Sequence, residues 1–226
     1  MSKPMNEKLF IYLFRHGQTT YNRDEKFTGW DNPPLTKLGL QQAQIIAEKL
    51  KDKRFSIAYH TSLIRSKNTL EEVLKFHPEC TRILEDNRMI ERNYGKLNGT
   101  THQQFIEDMG KKLYELEVEG DLIHELSTEG KREVEQFLGE QKYNLIHRGY
   151  HIPPPEGESF SMVEIRVQSF INDLLPLMKK ERVSVALSAH GNSIRLFRKI
   201  MERADIPTAT SWVIPFDSFY EYEIGL

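Results

Sequence analysis

The residues best suited to chemistry in this chain are two histidines, each ending an apolar run and each followed at once by glycine. His16-Gly17 closes Phe10-Ile-Tyr-Leu-Phe14-Arg15, and His190-Gly191 closes Val183-Ser-Val-Ala-Leu187-Ser-Ala189. A neutral imidazole can attack a phosphoryl group and carry it covalently, splitting one hard transfer into two easier ones. Arg15 adds a planar fork of donors that matches phosphate oxygens, and Gly17 lets the backbone come close to ring and ligand. After His190, Asn192 and Ser193 stand at the expected start of a helix, where backbone N–H groups attract an anion. A second imidazole there would hydrogen-bond the oxygens of a group in transfer. Arg65, in Thr61-Ser-Leu-Ile-Arg65, supplies another guanidinium, and Glu91, beside Arg92, a carboxylate able to relay a proton. Taken singly, each has a bland alternative: a solvated arginine, an ion-pair partner, two metal ligands. The sequence lacks the further Asp, His or Cys at metal-like spacing that a metal site needs. It also lacks the Gly-rich fingerprints of nucleotide and dinucleotide sites.

Elements that would bring these residues together follow from the pattern. Both histidine-ending runs read as short buried strands, and in an open α/β sheet ligands bind beyond the carboxyl ends of the strands. Strand-like and helix-like segments alternate, so the expected fold class is α/β: three layers, a mostly parallel central sheet flanked by helices. Leu35, Leu38, Ala43, Ile46, Ala47 and Leu50 recur at helical spacing after a Thr36 N-cap. Ile57–Thr61 reads as a strand, Leu63–Phe76 as a helix and Arg82–Glu85 as a weaker strand. A helix is expected from Phe160 to Met178, with Ser161 and Glu164 at capping-box spacing and Pro176 bending its last turns. The last helix is expected over Ser193–Met201. Residues 96–155 are polar, acidic and helix-prone and read as an excursion over the active site, ending at Pro153-Pro154-Pro155.

The 226 residues suffice for one domain, 1–226, with its own core. A net charge of −2 gives no global attraction to nucleic acid or an anionic membrane. A lone cysteine, Cys80, excludes an internal disulfide framework and suits a reducing compartment. No segment has the length of a transmembrane span, and Met1–Lys8 carries no leader-like apolar stretch. A cytoplasmic location is expected.

Several motifs, in order, resemble the histidine phosphatase superfamily, and within it the cofactor-dependent phosphoglycerate mutases. They are Arg15-His16-Gly17-Gln-Thr-Thr-Tyr-Asn22; Phe27-Thr28-Gly29-Trp30; Ser62-x-x-Arg65-x-x-x-Thr69; Glu91-Arg92-x-Tyr94-Gly95-x-Leu97-x-Gly99; and Ala189-His190-Gly191-Asn192-Ser193. The resemblance implies that His16 is the phosphorylated nucleophile. Arg15, Arg65 and His190 would complete the phosphate pocket, and Glu91 would give and take the proton. Gly17, Asn22, Thr28, Gly29, Arg92, Tyr94, His102, Gly191 and Asn192 would line the substrate site. It further implies priming by 2,3-bisphosphoglycerate, no metal, and a small phosphorylated substrate as partner; homo-oligomerisation is left open.

The expected activity is interconversion of 2- and 3-phosphoglycerate through a phosphohistidine. The alternative is a phosphatase of the same superfamily acting on small phosphorylated metabolites, and a binding-only regulator is a third reading. Three departures favour the alternative. His102 stands where the mutases carry lysine, and the excursion lacks their arginine pair, leaving Lys131-Arg132 or Arg148 to substitute. The mutases' basic C-terminal tail has no counterpart before Leu226. Pro153-Pro-Pro-Glu-Gly-Glu-Ser159 resembles the phosphatase branches as much as the mutases.

Overall fold

A computed structural model describes residues 8–124 and 126–225. Met1–Glu7, on which most of the no-leader expectation rests, and Leu226 lie outside the described residues. In chain order the elements are β1 (Leu9–Arg15), α1 (Thr20–Arg23), α2 (Lys37–Leu50), β2 (Ile57–His60), α3 (Ile64–Leu74), β3 (Arg82–Glu85), α4 (His102–Glu119) and α5 (Thr128–Arg148). Then come α6 (Phe160–Glu181), β4 (Val185–Ala189), α7 (Gly191–Glu202), α8 (Ile206–Ser211) and β5 (Phe219–Ile224). The sheet order is β3-β2-β4-β1-β5, with all pairings parallel except the β1–β5 edge.

The two central strands are apolar on both faces because both faces are covered. Ile11, Leu13, Val185 and Leu187 join the core beneath α6 and α7. Tyr12, Phe14 and Ala186 join the opposite core with Ile46 and Leu50 of α2 and Leu70 and Val73 of α3. The β1–β4 register pairs Arg15 with Ala189, so the chain leaves both strands side by side, and the His16 N–H donates to the Ala189 carbonyl at 3.1 Å. Two histidines 174 residues apart in sequence thus emerge at one sheet edge.

Between β3 and α6 the excursion is an antiparallel helix pair. Gly110 of α4 lies against the Glu135 carbonyl and Gly139 of α5 against that of Ile106, each so close that a Cβ would meet oxygen at about 2 Å. Their inner ends bury Phe105 and Ile146 with Phe27 and Tyr94.

Local expectations needed correction at several points. Leu38 is exposed and Leu35 only half-buried, because the buried stripe of α2 is Gly39, Ala43, Ile46, Ala47 and Leu50. The cap of α6 is Ser159, whose hydroxyl accepts from the Met162 N–H. Ser161 is already inside the helix, and Glu164 reaches Lys199 and Tyr150. Helix α6 continues through Pro176 to Glu181 and stops at Arg182 in the left-handed conformation. Helix α7 starts two residues before Ser193, with His190 itself as N-cap. Among the described residues no helix is long and apolar enough to cross a membrane.

Candidate active site

His16 sits at the carboxyl end of β1, 2% exposed. Its Nδ1 lies 2.7 Å from the Gly17 carbonyl, which can only accept, so the ring proton is on Nδ1. The lone pair is therefore on Nε2, which receives the Arg65 Nε–H at 3.3 Å. Burial, then Arg65 and Arg15, push the His16 pKa well below its usual value, so the ring is neutral at physiological pH. A buried, neutral imidazole with a lone pair between two guanidinium groups is a nucleophile prepared for an anionic electrophile.

Arg65 projects from the first turn of α3 and is fully buried. It is clamped by donating to the carbonyls of Asp31 at 2.7 Å and Gly29 at 2.8 Å. Gly29 has φ +48°, and a Cβ there would lie 2.1 Å from Asn98 Oδ1, so only glycine offers that carbonyl in this turn. Arg15 donates to the Ile214 carbonyl and stacks on Phe216, 3.8 Å from guanidinium carbon to ring centre. Burial brings both arginines down to about 10, which leaves both charged at neutral pH.

His190 lies 5.0 Å from His16, ring centre to ring centre. Its Nε2 is 2.8 Å from Thr61 Oγ1, at the end of β2. That hydroxyl oxygen also accepts the Leu63 N–H at 3.4 Å. Burial and the neighbouring charges lower the His190 pKa as well. His190 Nδ1 and Arg15 Nε are both buried and have no hydrogen-bond partner among the described residues. The Arg15 Nε–H is a donor in every protonation state, and with His190 Nδ1 it flanks the His16 lone pair with polar groups suited to an anion.

Across from these, one Glu91 carboxylate oxygen accepts the backbone N–H groups of Arg92 at 2.7 Å and Asn192 at 3.2 Å. The carboxylate is thus fixed to the first turn of α7 and opens on a cavity of about 150 Å³. Arg15, Asn22, Thr28, Gly29, Tyr94, His102, Gly191 and Asn192 also line that cavity. A family model, that of the histidine phosphatase superfamily (branch 1), matches residues 11–121 and 123–224. The chain belongs to this superfamily.

Among its curated relatives is a 2,3-bisphosphoglycerate-dependent phosphoglycerate mutase of Parvibaculum lavamentivorans, 32% identical over 82% of this chain and 76% of that protein. Another of the same name, from Nitrobacter winogradskyi, is 30% identical over 88% and 83%. Solved structures of similar fold include phosphoglycerate mutase from Bacillus anthracis (TM-score 0.68, 19% identity, 98% and 91% covered). A mycobacterial glucosyl-3-phosphoglycerate phosphatase is equally near (TM-score 0.68, 19% identity, 95% and 97% covered).

Most of the sequence-selected residues converge on this candidate site; Arg92, Lys131, Arg132 and Arg148 stand outside it. Arg92 is fully buried and outside the cavity lining. It donates to the carbonyls of Glu158, Ile146, His147 and Ile152 and stacks on Phe160, fastening the end of α5 to α6. Gly17 is tight for a different reason than expected: a Cβ there would strike the Gly39 carbonyl of α2 at 2.0 Å. Lys131 and Arg132 lie towards the outer part of α5; Lys131 pairs with Glu135, and Arg132 lines a separate outer groove. Arg148 donates to the Thr210 carbonyl and does not line the cavity.

Sequence reasoning overlooked Arg195, Lys26 and His147, all in the lining, and Thr61 and Phe216, which touch His190 and Arg15. Arg195 was within reach, since it follows Asn192 by one helical i, i+3 step, and it donates to Asn192 Oδ1 at 2.7 Å. Phe216 lies in an irregular segment with no signal in the sequence. Among the described residues no group of three or more His, Cys, Asp or Glu could hold a metal ion.

Proposed function

We propose that this protein is a phosphoglycerate mutase that transfers a phosphoryl group through His16. The His16 Nε2 lone pair attacks phosphorus; the N–P bond forms and the P–O bond breaks, and the leaving oxygen takes the Glu91 carboxyl proton. In the return step a substrate hydroxyl attacks phosphorus and gives its proton to the Glu91 carboxylate. The Nδ1–H bond to the Gly17 carbonyl holds the ring's orientation throughout. Arg15, Arg65 and His190 meet charge on the transferring oxygens without reorganising.

The observation that carries the mutase reading is size. The cavity on which Arg15 and Glu91 open, about 150 Å³, is well below drug-sized pockets of roughly 300–1,000 Å³. Such a site suits a three-carbon acid. Lys26 and Arg195 lie in the same lining as Arg15, which suits a substrate with an anion at each end. These groups would hold 2,3-bisphosphoglycerate, which when bound supplies the priming phosphoryl group.

One observation favours a phosphatase instead. Lys131 and Arg132 do not reach the cavity, and the excursion presents His102 and His147 to it. The deciding assay supplies 3-phosphoglycerate with and without catalytic 2,3-bisphosphoglycerate, in chelator, and follows 2-phosphoglycerate and free phosphate together. Isomerisation stimulated by the bisphosphate, with little phosphate release, is expected. Phosphate release without isomerisation would replace the mutase with the phosphatase.

A further inference from the structure

Beyond Glu91 the cavity wall contains two imidazoles that the phosphoryl chemistry leaves unused. His147, in the last turn of α5, stacks on Tyr143 (4.9 Å, 23° between planes) and faces His102 at 5.4 Å. Its Nδ1 is buried with no hydrogen-bond partner among the described residues. An orphaned buried N–H is rarer in proteins than an orphaned acceptor, so the ring proton belongs on Nε2, the nitrogen left to serve the cavity. His102 opens α4, and its Nδ1 is 3.2 Å from the Tyr143 hydroxyl. That contact leaves His102 Nε2 as the ring nitrogen free to serve the cavity it lines.

Neither ring brings a charge. Burial opposes protonation of His147, and so do Arg148 beside it on α5, His102 on α4, Arg195 on α7 and Arg92; together they bring it down to about 2. Burial lowers His102 too, against a weaker pull from Glu25. The cations nearby are partly spent. Arg195 gives Nε to the Trp212 carbonyl and Nη1 to Asn192 Oδ1, and Lys26 rests over the Tyr21 ring.

We propose that His147 and His102 determine specificity at the substrate's non-reacting end, reading it as two uncharged N–H donors that accept a carboxylate or hydroxyl and hold a second phosphate dianion weakly. The substrate class is then a phosphomonoester of a short hydroxy acid, with the doubly phosphorylated species bound no tighter than the monophosphate. This rests on the reading of the cavity as a phosphoglycerate site.

The test is calorimetric titration of 3-phosphoglycerate and 2,3-bisphosphoglycerate into His16→Ala protein, which stops turnover. The two should bind within about threefold of each other. Adding His147→Arg, or His102→Lys where the arginine does not fold, should tighten the bisphosphate at least tenfold relative to the monophosphate. His147→Gln, which keeps a neutral donor, should leave the ratio within threefold. A bisphosphate bound more than threefold tighter with both imidazoles in place overturns the inference, as does a relative tightening below tenfold in the folded charged variants. A ratio shifted more than threefold by His147→Gln also overturns it. Neither ligand binding at millimolar concentration would instead overturn the phosphoglycerate reading itself. Phosphorylation of wild-type His16, read as an acid-labile label, is scored separately.

Discussion

Acid should unfold this protein sooner than its carboxylates alone would dictate, because His16, His190 and His147 are buried without charge. In each the folded pKa lies well below the unfolded value of 6.5. The unfolded chain therefore binds more protons as pH falls, so the stability these groups permit is complete above about pH 6.5 and drains away below it. Only the unfolded value matters while the folded rings stay neutral. From pH 7 to pH 5 each histidine then costs about 2 kcal/mol, and the three together about 6 kcal/mol. Below about pH 5.5 the slope approaches about 4 kcal/mol per pH unit, against a total stability of roughly 5–15 kcal/mol. The carboxylates held low here, such as Glu202 and Asp205, lose their contribution only below this window. Urea unfolding at pH 7.0, 6.0 and 5.0 reads the effect directly. His147→Gln should recover about 2 kcal/mol of the loss at pH 5 relative to wild type. A wild-type change below about 2 kcal/mol between pH 7 and 5 would mean that at least two of these rings are protonated or solvated when folded. If His16→Gln then recovers none of the remaining loss at pH 5, the neutral nucleophile argued for His16 falls.

Three substitutions test the framework around the site. Arg65→Lys keeps the charge but cannot span both the Asp31 and Gly29 carbonyls while reaching His16; kcat/KM should drop about 10²–10³-fold. Activity within threefold of wild type would remove Arg65 from the phosphate pocket. Gly39→Ala drives a Cβ to 2.0 Å from the Gln18 carbonyl, displacing the loop after His16, and should cost about 2–3 kcal/mol in urea unfolding. Leu40→Ala, next in sequence and 41% exposed, serves as the control and should stay within about 1 kcal/mol. Arg92→Met strips four carbonyls of a charged donor at the end of α5, and about 3–5 kcal/mol of stability should go with it. Hydrogen exchange should speed up first in 128–148; uniform acceleration across the sheet would show that Arg92 does not fasten the excursion specifically.

What could be read in the sequence was the part written in short-range code. A strand buried on both faces must be a continuous apolar run, so β1 and β4 declared themselves, and with them the edge where His16 and His190 emerge. Arg92 shows where that code fails. Its place beside Glu91 suggested substrate, yet successive residues of a non-helical segment can point opposite ways. While the Glu91 carboxylate turns to the cavity, the Arg92 guanidinium goes behind it, to carbonyls from Ile146 to Glu158. Those partners lie more than fifty residues downstream and form no pattern with it. Arg148 and His147 make the same point from adjacent positions on one helix. Neighbours on an α-helix are about 100° apart, so only one can face the cavity. Composition favoured the arginine, whereas the packing of α5 against Tyr94 and Phe27 gives the place to the histidine. The charge at the far end of this pocket is thus set by the rotation of α5, and that rotation is fixed where Arg92 grips its last turn and where Gly139 lets α4 approach. On the proposed reading, residues that never touch a ligand would decide which end of the substrate meets a cation and which meets a neutral ring.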